Sequence, residues 1–344
     1  MNNELKINKV GIVGQGKMGA GIFHYLLDFQ LDLVWVCSPQ ADTDKLIRQF
    51  AKRVKRSLDA GIIDNLRFET LTGTVITKDP AALHDCDLVI EALPENLELK
   101  KRLFLQLDEI VKPEAIFASN SSSINPSEIA PEGRRAGQFT GLHFFYPVSI
   151  KNIVEFTYSE NTTAETIAAV GSFLNRIDRR YIKLDAKNSF ILNRIFLDVQ
   201  NEALIIVNSG NCSYLQMDHL VKDNLFPFGV FDFCDSVGLD TMLSSILNYT
   251  RSYTDKLHYS LMIETLSALV AQGRLGVKMQ SGFFDYPMEA FTGEAPANAD
   301  EIIDHLRKTW QSSAKSMTAS ANISTEDANF AIKEYFDITT GPFE

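Results

Sequence analysis

Residues 9 to 22 read Lys-Val-Gly-Ile-Val-Gly-Gln-Gly-Lys-Met-Gly-Ala-Gly-Ile, an apolar run that passes directly into closely spaced glycines. No other stretch restricts the fold as much. The run predicts a strand, a tight turn and a helix start. Gly14 can take turn angles closed to other residues, Gly16 leaves the main chain open to a pyrophosphate, and Gly19 lets the helix pack close to the strand. The helix N-terminal amides, with Met18 in the same turn, then face the phosphates. A lone Gly-x-Gly-x-x-Gly is a weak signal, since glycine-rich turns are common, but here a strand precedes it and an amphipathic helix follows. No Gly-Lys is followed by Ser or Thr, which excludes a Walker A loop and leaves a dinucleotide as the expected ligand.

Such a motif needs a domain around it, and 344 residues are long enough for two. Lys plus Arg at 33 against Asp plus Glu at 44 gives 33 − 44 = −11, which argues against a nucleic-acid surface. Cys37, Cys86, Cys212 and Cys234 lie far apart with no Cys-x-x-Cys pair, so free thiols, a reducing compartment and no metal site are expected. The N-terminus lacks a basic-then-apolar leader, and no apolar run reaches the roughly eighteen residues of a membrane span. The expected location is the cytoplasm, without a membrane partner.

After the glycine turn, Ile22 to Phe29 continues as helix and Leu31 to Cys37 as a second strand, a βαβ unit that implies a parallel sheet. A helix over 42–60, strands at Gly73–Thr77 and Asp87–Ala92, a helix from Asn96 to Val111 and a strand at Ala115–Ala118 extend the alternation. Later strands are read at Gln138–Phe145, Ile153–Thr157 and Tyr181–Leu184, with a helix from Ala164 to Asn175. From Ser189 the pattern becomes helical only, over Phe190–Asn208, Leu215–Asp223, Asp255–Gln272 and then near 300–315 and 325–336. The fold class is α/β, with a Rossmann-like dinucleotide-binding domain over 1–185 followed by an all-helical one. The helical part is divided into a substrate and dimerisation domain over 186–290 and a C-terminal extension over 291–344. In open α/β sheets ligands collect beyond the carboxyl ends of the strands, which places Glu95 and the run Ser119 to Ser123 where a cofactor or substrate should lie.

Hydride exchange at an alcohol carbon needs a base for the hydroxyl proton, and histidine, with a free pKa of about 6.5, serves both directions near neutral pH. Of the six histidines, five sit in helical or turn settings suited to surface or packing roles. His143 differs: it ends a strand in the run His-Phe-Phe-Tyr-Pro. Glu155 ends another apolar run, and if the two strands are neighbours its carboxylate could accept the imidazole N–H.

Taken in order, these motifs resemble the (S)-3-hydroxyacyl-CoA dehydrogenase family, of the 3-hydroxybutyryl-CoA dehydrogenase kind, over residues 9 to about 286. The resemblance rests on Gly-Gln-Gly-Lys-Met-Gly-Ala-Gly-Ile, Glu-Ala-Leu-Pro-Glu-Asn-x-x-x-Lys, Ser-Asn-Ser-Ser-Ser-Ile, Gly-Leu-His-Phe-Phe-x-Pro, Asn-Arg-Ile, Asp-Ser-Val-Gly-Leu-Asp and Gly-Arg-Leu-Gly-x-Lys. It implies an oxidoreductase of fatty-acid and butyrate metabolism, moving hydride between a nicotinamide cofactor and C3 of a short-chain (S)-3-hydroxyacyl-CoA. His143 would be the base and Glu155 its partner. Ser122 and Asn193 would hold the reacting oxygen, Glu95, Lys100 and Lys278 would approach the cofactor, Ser57 would contact coenzyme A, and a homodimer is implied.

The chain departs from that pattern at several positions near a ligand. The acidic residue that closes the family's second strand is replaced by Cys37-Ser38-Pro39, which makes Ser38 the candidate at the adenosine ribose and leaves NADP open beside NAD. The family's coenzyme A lysine, expected just after Gly61, is replaced by Ile62 and Ile63, leaving Arg56 or Lys55 as substitutes. Two other readings therefore stand beside the first: a dehydrogenase of a non-CoA hydroxyacid or sugar acid, and a non-catalytic dinucleotide-binding protein.

Overall fold

The computed structural model describes residues 5–251, 257–288 and 291–344. The chain divides into two compact units, Met1–Ser189 and Phe190–Glu344. The first runs β1 (Lys9–Val13), α1 (Lys17–Leu26), β2 (Asp32–Val36), α2 (Thr43–Asp59), α3 (Asn65–Thr72), β3 (Val75–Thr77), β4 (Leu88–Glu91) and α4 (Leu97–Ile110). It continues through β5 (Ile116–Ser119), α5 (Pro126–Ile129), β6 (Phe139–Phe144), β7 (Ile153–Tyr158), α6 (Ala164–Arg176) and β8 (Arg180–Asp185).

Among the described residues these strands form one eight-stranded sheet in the order β3-β2-β1-β4-β5-β6-β7-β8. It is parallel from β3 through β6. The parallel sheet expected from the first βαβ unit breaks once. β7 runs antiparallel to β6, because residues 145–152 between them are too few for a crossover helix. The strand order reverses between β1 and β4, so their carboxyl ends open the crevice where ligands of such sheets lie.

Alternate side chains point to opposite faces, and both faces are covered. Val10, Ile12, Leu33, Trp35, Leu88, Ile90, Leu142 and Phe144 pack with Ile22, Phe23 and Leu26 of α1 and with Val170 and Phe173 of α6. Val13, Val34, Val36, Val89, Phe117 and Phe139 pack on the other side with Phe104 and Leu107 of α4. The helix α3 was not expected from the sequence. It buries only Leu71, and Asp64 caps it by accepting from the Arg67 amide, so local hydrogen bonding rather than an apolar stripe defines it.

The second unit contains α7 (Ile191–Asn208), α8 (Tyr214–Asn224), α9 (Val230–Val237), α10 (Leu239–Tyr249), α11 (Ser260–Ala271), α12 (Ala299–Ser320) and α13 (Thr325–Phe336). The expected start of the α11 helix at Asp255 lies outside the described residues. The helices α9 and α10 went unread because Gly238, at φ 103°, breaks one apolar stretch into two short helices and hides the period of each. The tail is part of this unit's core: α12 packs along α7, burying Ile303, Leu306 and Trp310. Among the described residues no helix is long and apolar enough to cross a membrane.

Candidate active site

At the carboxyl end of β1 the backbone is held from several sides. The Gly14 amide donates to Val36 O at 2.9 Å and the buried Trp35 indole donates to Gly14 O at 2.8 Å. Gly14 sits at φ 116°, and a Cβ there would stand 2.5 Å from Ala92 O. A Cβ on Gly19 would stand 2.2 Å from Gly14 O, so only glycine lets α1 begin this close to the strand. Gly16, by contrast, faces open space, with no side chain capping the α1 amides. A cradle of uncapped amides with room in front fits a dinucleotide pyrophosphate. The Met18 side chain packs against the core, leaving its amide in the first helical turn.

Beyond β2, Ser38 is tied to the glycine turn in both directions. Its amide donates to Gln15 Oε1 at 2.9 Å and its hydroxyl accepts from Gln15 Nε2 at 2.8 Å. Lys45 and Arg48 follow in α2, and the sheet brings another cation to this strand end. Because Val36 pairs with Thr77 and the Cys37 amide donates to Thr77 O, Lys78 follows beside the β2 end. Burial pushes the Cys37 thiol up in pKa while the Lys78 ammonium pulls it down, and the net is upward. A cation here draws a ribose phosphate, whereas an acid at Ser38 would repel one.

Between β4 and β5 lies a buried polar cluster. Lys100, 1% exposed, donates from Nζ to Glu91 Oε1 at 2.7 Å and to Leu93 O at 3.3 Å, and lies 3.4 Å from Glu95 Oε2. Glu91 Oε2 accepts from the Ser119 hydroxyl at 2.6 Å. Glu95 Oε1 gathers the serine run, accepting from the Ser121 and Ser123 hydroxyls at 2.5 and 2.8 Å and from the Ser122 and Ser123 amides at 3.0 and 2.8 Å. Burial alone would raise the Glu95 pKa, but Lys100 and these hydroxyls outweigh it and hold the carboxyl below its ordinary range. The completely buried Glu91 was not singled out from the sequence. The available signal was an acid closing the apolar run Leu-Val-Ile-Glu with a lysine nine positions on.

Asn120 joins this cluster to the next strand. Its amide donates to Glu91 O at 2.8 Å and its side-chain oxygen accepts from the Phe144 amide at 2.9 Å, one residue beyond His143. The structure brings His143 and Glu155 together: they stand opposite each other in the β6–β7 register, with Nδ1 2.7 Å from Glu155 Oε2. Both are buried, at 7% and 0% exposure. A carboxylate can only accept, so the ring proton lies on Nδ1 and Nε2 is the ring's acceptor nitrogen.

Ser57 lies on α2, lining a cleft of about 420 Å³ together with Lys52, Arg53, Arg56 and Ile62. Of the two proposed lysine substitutes, Arg56 lines this cleft while Lys55 is paired with Asp59 at 2.9 Å. In the second unit the Lys278 ammonium contacts both Asp240 oxygens at 2.5 and 2.6 Å, so the motifs Asp235–Asp240 and Gly273–Lys278 meet. Asn193, on α7, donates from Nδ2 to the Tyr249 hydroxyl at 3.0 Å.

Residues 9–187 match the family model of the 3-hydroxyacyl-CoA dehydrogenase NAD binding domain, and residues 190–286 match that of its C-terminal domain. A probable 3-hydroxybutyryl-CoA dehydrogenase of Deinococcus radiodurans is 32% identical over 280 residues, covering 81% of this chain and all of that protein. The crystal structure of an (S)-3-hydroxybutyryl-CoA dehydrogenase from Ralstonia eutropha is similar with a TM-score of 0.72 and 31% identity, over 82% of this chain and 100% of that one. A 3-hydroxybutyryl-CoA dehydrogenase structure from Escherichia coli shares the fold over 98% of this chain and 90% of its own, with a TM-score of 0.84 at 20% identity. The glycine cradle fits the cofactor named in the first model, and on these matches the chain belongs to the 3-hydroxyacyl-CoA dehydrogenase family, with an NAD binding domain as its N-terminal part.

Proposed function

We propose that the protein interconverts a short-chain (S)-3-hydroxyacyl-CoA and the corresponding 3-ketoacyl-CoA, with His143 as acid and base. The bond between His143 Nδ1 and Glu155 Oε2 carries this reading. NAD, when bound, supplies the two-electron acceptor at C4 of its nicotinamide. His143 Nε2 takes the C3 hydroxyl proton in the oxidative direction and returns it in the other. Glu155, buried and fixed by the strand register, holds the ring and stabilises the imidazolium. Ser122 and Asn193 are donors aimed at the C3 oxygen as charge develops there. Lys100 acts on the cofactor side through Glu95, whose carboxylate sets the serine loop that carries Ser122, and Lys278 is the second unit's candidate for a cofactor contact.

The coenzyme A reading draws support from the cleft beside Ser57, where Lys52, Arg53 and Arg56 offer positive charge without the family's lysine. The deciding experiment is a panel of acetoacetyl-CoA, longer 3-ketoacyl-CoAs and free hydroxyacids, each assayed with both nicotinamide cofactors. Acetoacetyl-CoA should be turned over with NADH. Turnover confined to free hydroxyacids would replace the reading with the non-CoA one, and none on any substrate would favour a binding protein.

Ser38→Asp should raise the preference for NADH over NADPH, because the new carboxylate offers an acceptor to the ribose hydroxyls and repels a 2′-phosphate that Lys78 would otherwise attract. The wild type should prefer NADH only weakly. The measurement is kcat/KM for both cofactors at one ketoacyl-CoA concentration. A preference for NADPH of about tenfold, or about 1.4 kcal/mol, in the wild type would overturn the assignment, and an unchanged ratio in the variant would mean that Ser38 does not face the ribose.

The helical region from 186 to 290 would carry substrate contacts and a homodimer interface, with 291–344 as its extension. Leu247 of α10 is 48% exposed, and Leu261, Leu269 and Val270 of α11 are half-exposed, an apolar set suited to a second copy. Sedimentation at micromolar concentration should give a dimer, and a monomer alone would remove the interface. The four cysteines are buried and unpaired, which suits the reducing conditions of a cytoplasmic protein.

A further inference from the structure

One buried acid of the first unit has no part in the proton chemistry. Glu91 Oε1 accepts from the Leu93 amide at 2.6 Å and from Lys100 Nζ at 2.7 Å, while Oε2 accepts from the Ser119 hydroxyl at 2.6 Å. Lys100 also stands 3.4 Å from Glu95 Oε2. One ammonium therefore serves two carboxylates, and among the described residues neither carboxylate has a second cation within ion-pair distance. Together the three groups carry one net negative charge. Glu91 and Lys100 are 0% and 1% exposed, so water screens that charge far less than it would a surface pair.

The charge stands next to the glycine cradle. Ala92, which directly follows Glu91, donates from its amide to Val13 O at 2.8 Å, and its own carbonyl is the atom that a Cβ on Gly14 would strike. A dinucleotide crosses such a sheet at the point where the strand order reverses. With its pyrophosphate in the cradle at the end of β1 and its adenosine ribose at the end of β2, the nicotinamide half falls on the other side, toward β4 and β5. Glu91 closes β4, and its partner Ser119 closes β5.

We infer that Glu91 is a positioning residue for the cofactor: by holding Lys100 as a shared counter-ion it leaves one net negative charge on the nicotinamide side of the crevice, and that charge favours the oxidised, cationic ring over the reduced, neutral one. This rests on the cofactor-side role proposed above for Lys100 and Glu95. The two forms of the cofactor carry the same phosphates and differ by one positive charge on the ring, so only a nearby charge discriminates between them. Favouring the oxidised form makes the bound reduced form the better hydride donor, which biases the protein toward ketone reduction.

The test is calorimetric titration of the full-length protein with oxidised NAD and with NADH, without acyl substrate, for the wild type, Glu91→Gln, Glu95→Gln and Glu91→Gln/Lys100→Gln. Glu91→Gln keeps the shape and the acceptor for Lys100, and its new amide nitrogen faces the Ser119 hydroxyl, which can turn to accept. The ratio of Kd for oxidised NAD to Kd for NADH should rise about three- to tenfold, the scale of one partly screened unit charge. The double variant removes one charge of each sign and should return to the wild-type ratio. It carries the test by itself if Glu91→Gln does not fold, since a raised ratio there overturns the inference. An unchanged ratio in folded Glu91→Gln, even with both affinities weakened, makes Glu91 a structural residue only and overturns the inference, while altered affinities in Glu95→Gln leave the cofactor-side role standing. Glu95→Gln with wild-type affinity for both forms is the separate result that removes the cluster from the cofactor side, and this inference with it.

Discussion

Glu155→Gln lowers the single-turnover rate of ketoacyl-CoA reduction by ~10²- to 10⁴-fold, and His143→Asn lowers it by a similar factor, the range for losing a positioned acid or base. The glutamine keeps an oxygen for the His143 Nδ1 proton, so the ring can stay in place. It removes the charge that stabilises the imidazolium, and so tests electrostatics with little change in shape. His143→Asn removes the proton carrier itself but also leaves a completely buried carboxylate without its ring partner. Some loss of stability, about 1–3 kcal/mol, accompanies that change. Rates must therefore be taken where circular dichroism finds both variants folded. Single-turnover conditions keep product release from masking the chemical step. Variants within about threefold of the wild type, well short of the usual loss, would remove the pair from the mechanism.

Phe336→Ala should destabilise the protein by ~3–5 kcal/mol, the usual cost of deleting a buried aromatic ring. The ring is completely buried, in contact with Phe196 and Phe226, and 6.2 Å from the Trp310 centroid. It is also the last residue of α13, so the truncation opens a cavity and loosens the end of that helix. Phe336→Leu, which fills most of the space, should cost under about 2 kcal/mol. Urea unfolding followed by tryptophan fluorescence reads this directly, since Trp310 sits in the same cluster. A shift below about 1 kcal/mol for the alanine variant would mean that the site collapses around the missing ring, and that the tail contributes little to this unit's core.

The acid limb of stability should carry the Glu95 cluster. Its carboxyl is held below the ordinary range, so it contributes stability above the free glutamate pKa of about 4.3, and that contribution is lost as pH falls through the depressed folded value. Protonation would remove the acceptor that gathers the hydroxyls and amides of Ser121 to Ser123. Urea midpoints measured from pH 6 down to pH 3 should fall less steeply in Glu95→Gln than in the wild type. Parallel slopes would mean that Glu95 is not the group being titrated.

Local chemistry was legible wherever one short stretch contained all of it. The turn at Gly14, Gly16 and Gly19 is readable from spacing alone, because the positive φ of Gly14 and the close approach of Gly19 to Gly14 O both arise within the motif. The alternation of strands and helices was readable for the same reason: period and caps are properties of consecutive residues. The α9–α10 pair escaped because a single glycine at positive φ divides it, leaving neither piece long enough to display a period.

What joins distant residues was decided by the tertiary structure alone. His143 and Glu155 were candidates in sequence, but only the antiparallel β6–β7 register sets them face to face, and register depends on long-range pairing rather than on either strand. Lys78 reaches the end of β2 because β3 is the neighbouring strand, a fact of sheet order that no spacing encodes. Glu91 is a charge inside an apolar run until the fold brings Lys100 and Ser119 to it. The Tyr335 hydroxyl donates to Asn193 from 142 positions away, and the aromatic cluster around Phe336 is assembled from α7, α12, α13 and the segment before α9. The sequence by itself determined which groups the chain has for binding a dinucleotide and moving a proton. Packing decided which of them touch, because a buried side chain takes its partner from whatever surface excludes water around it.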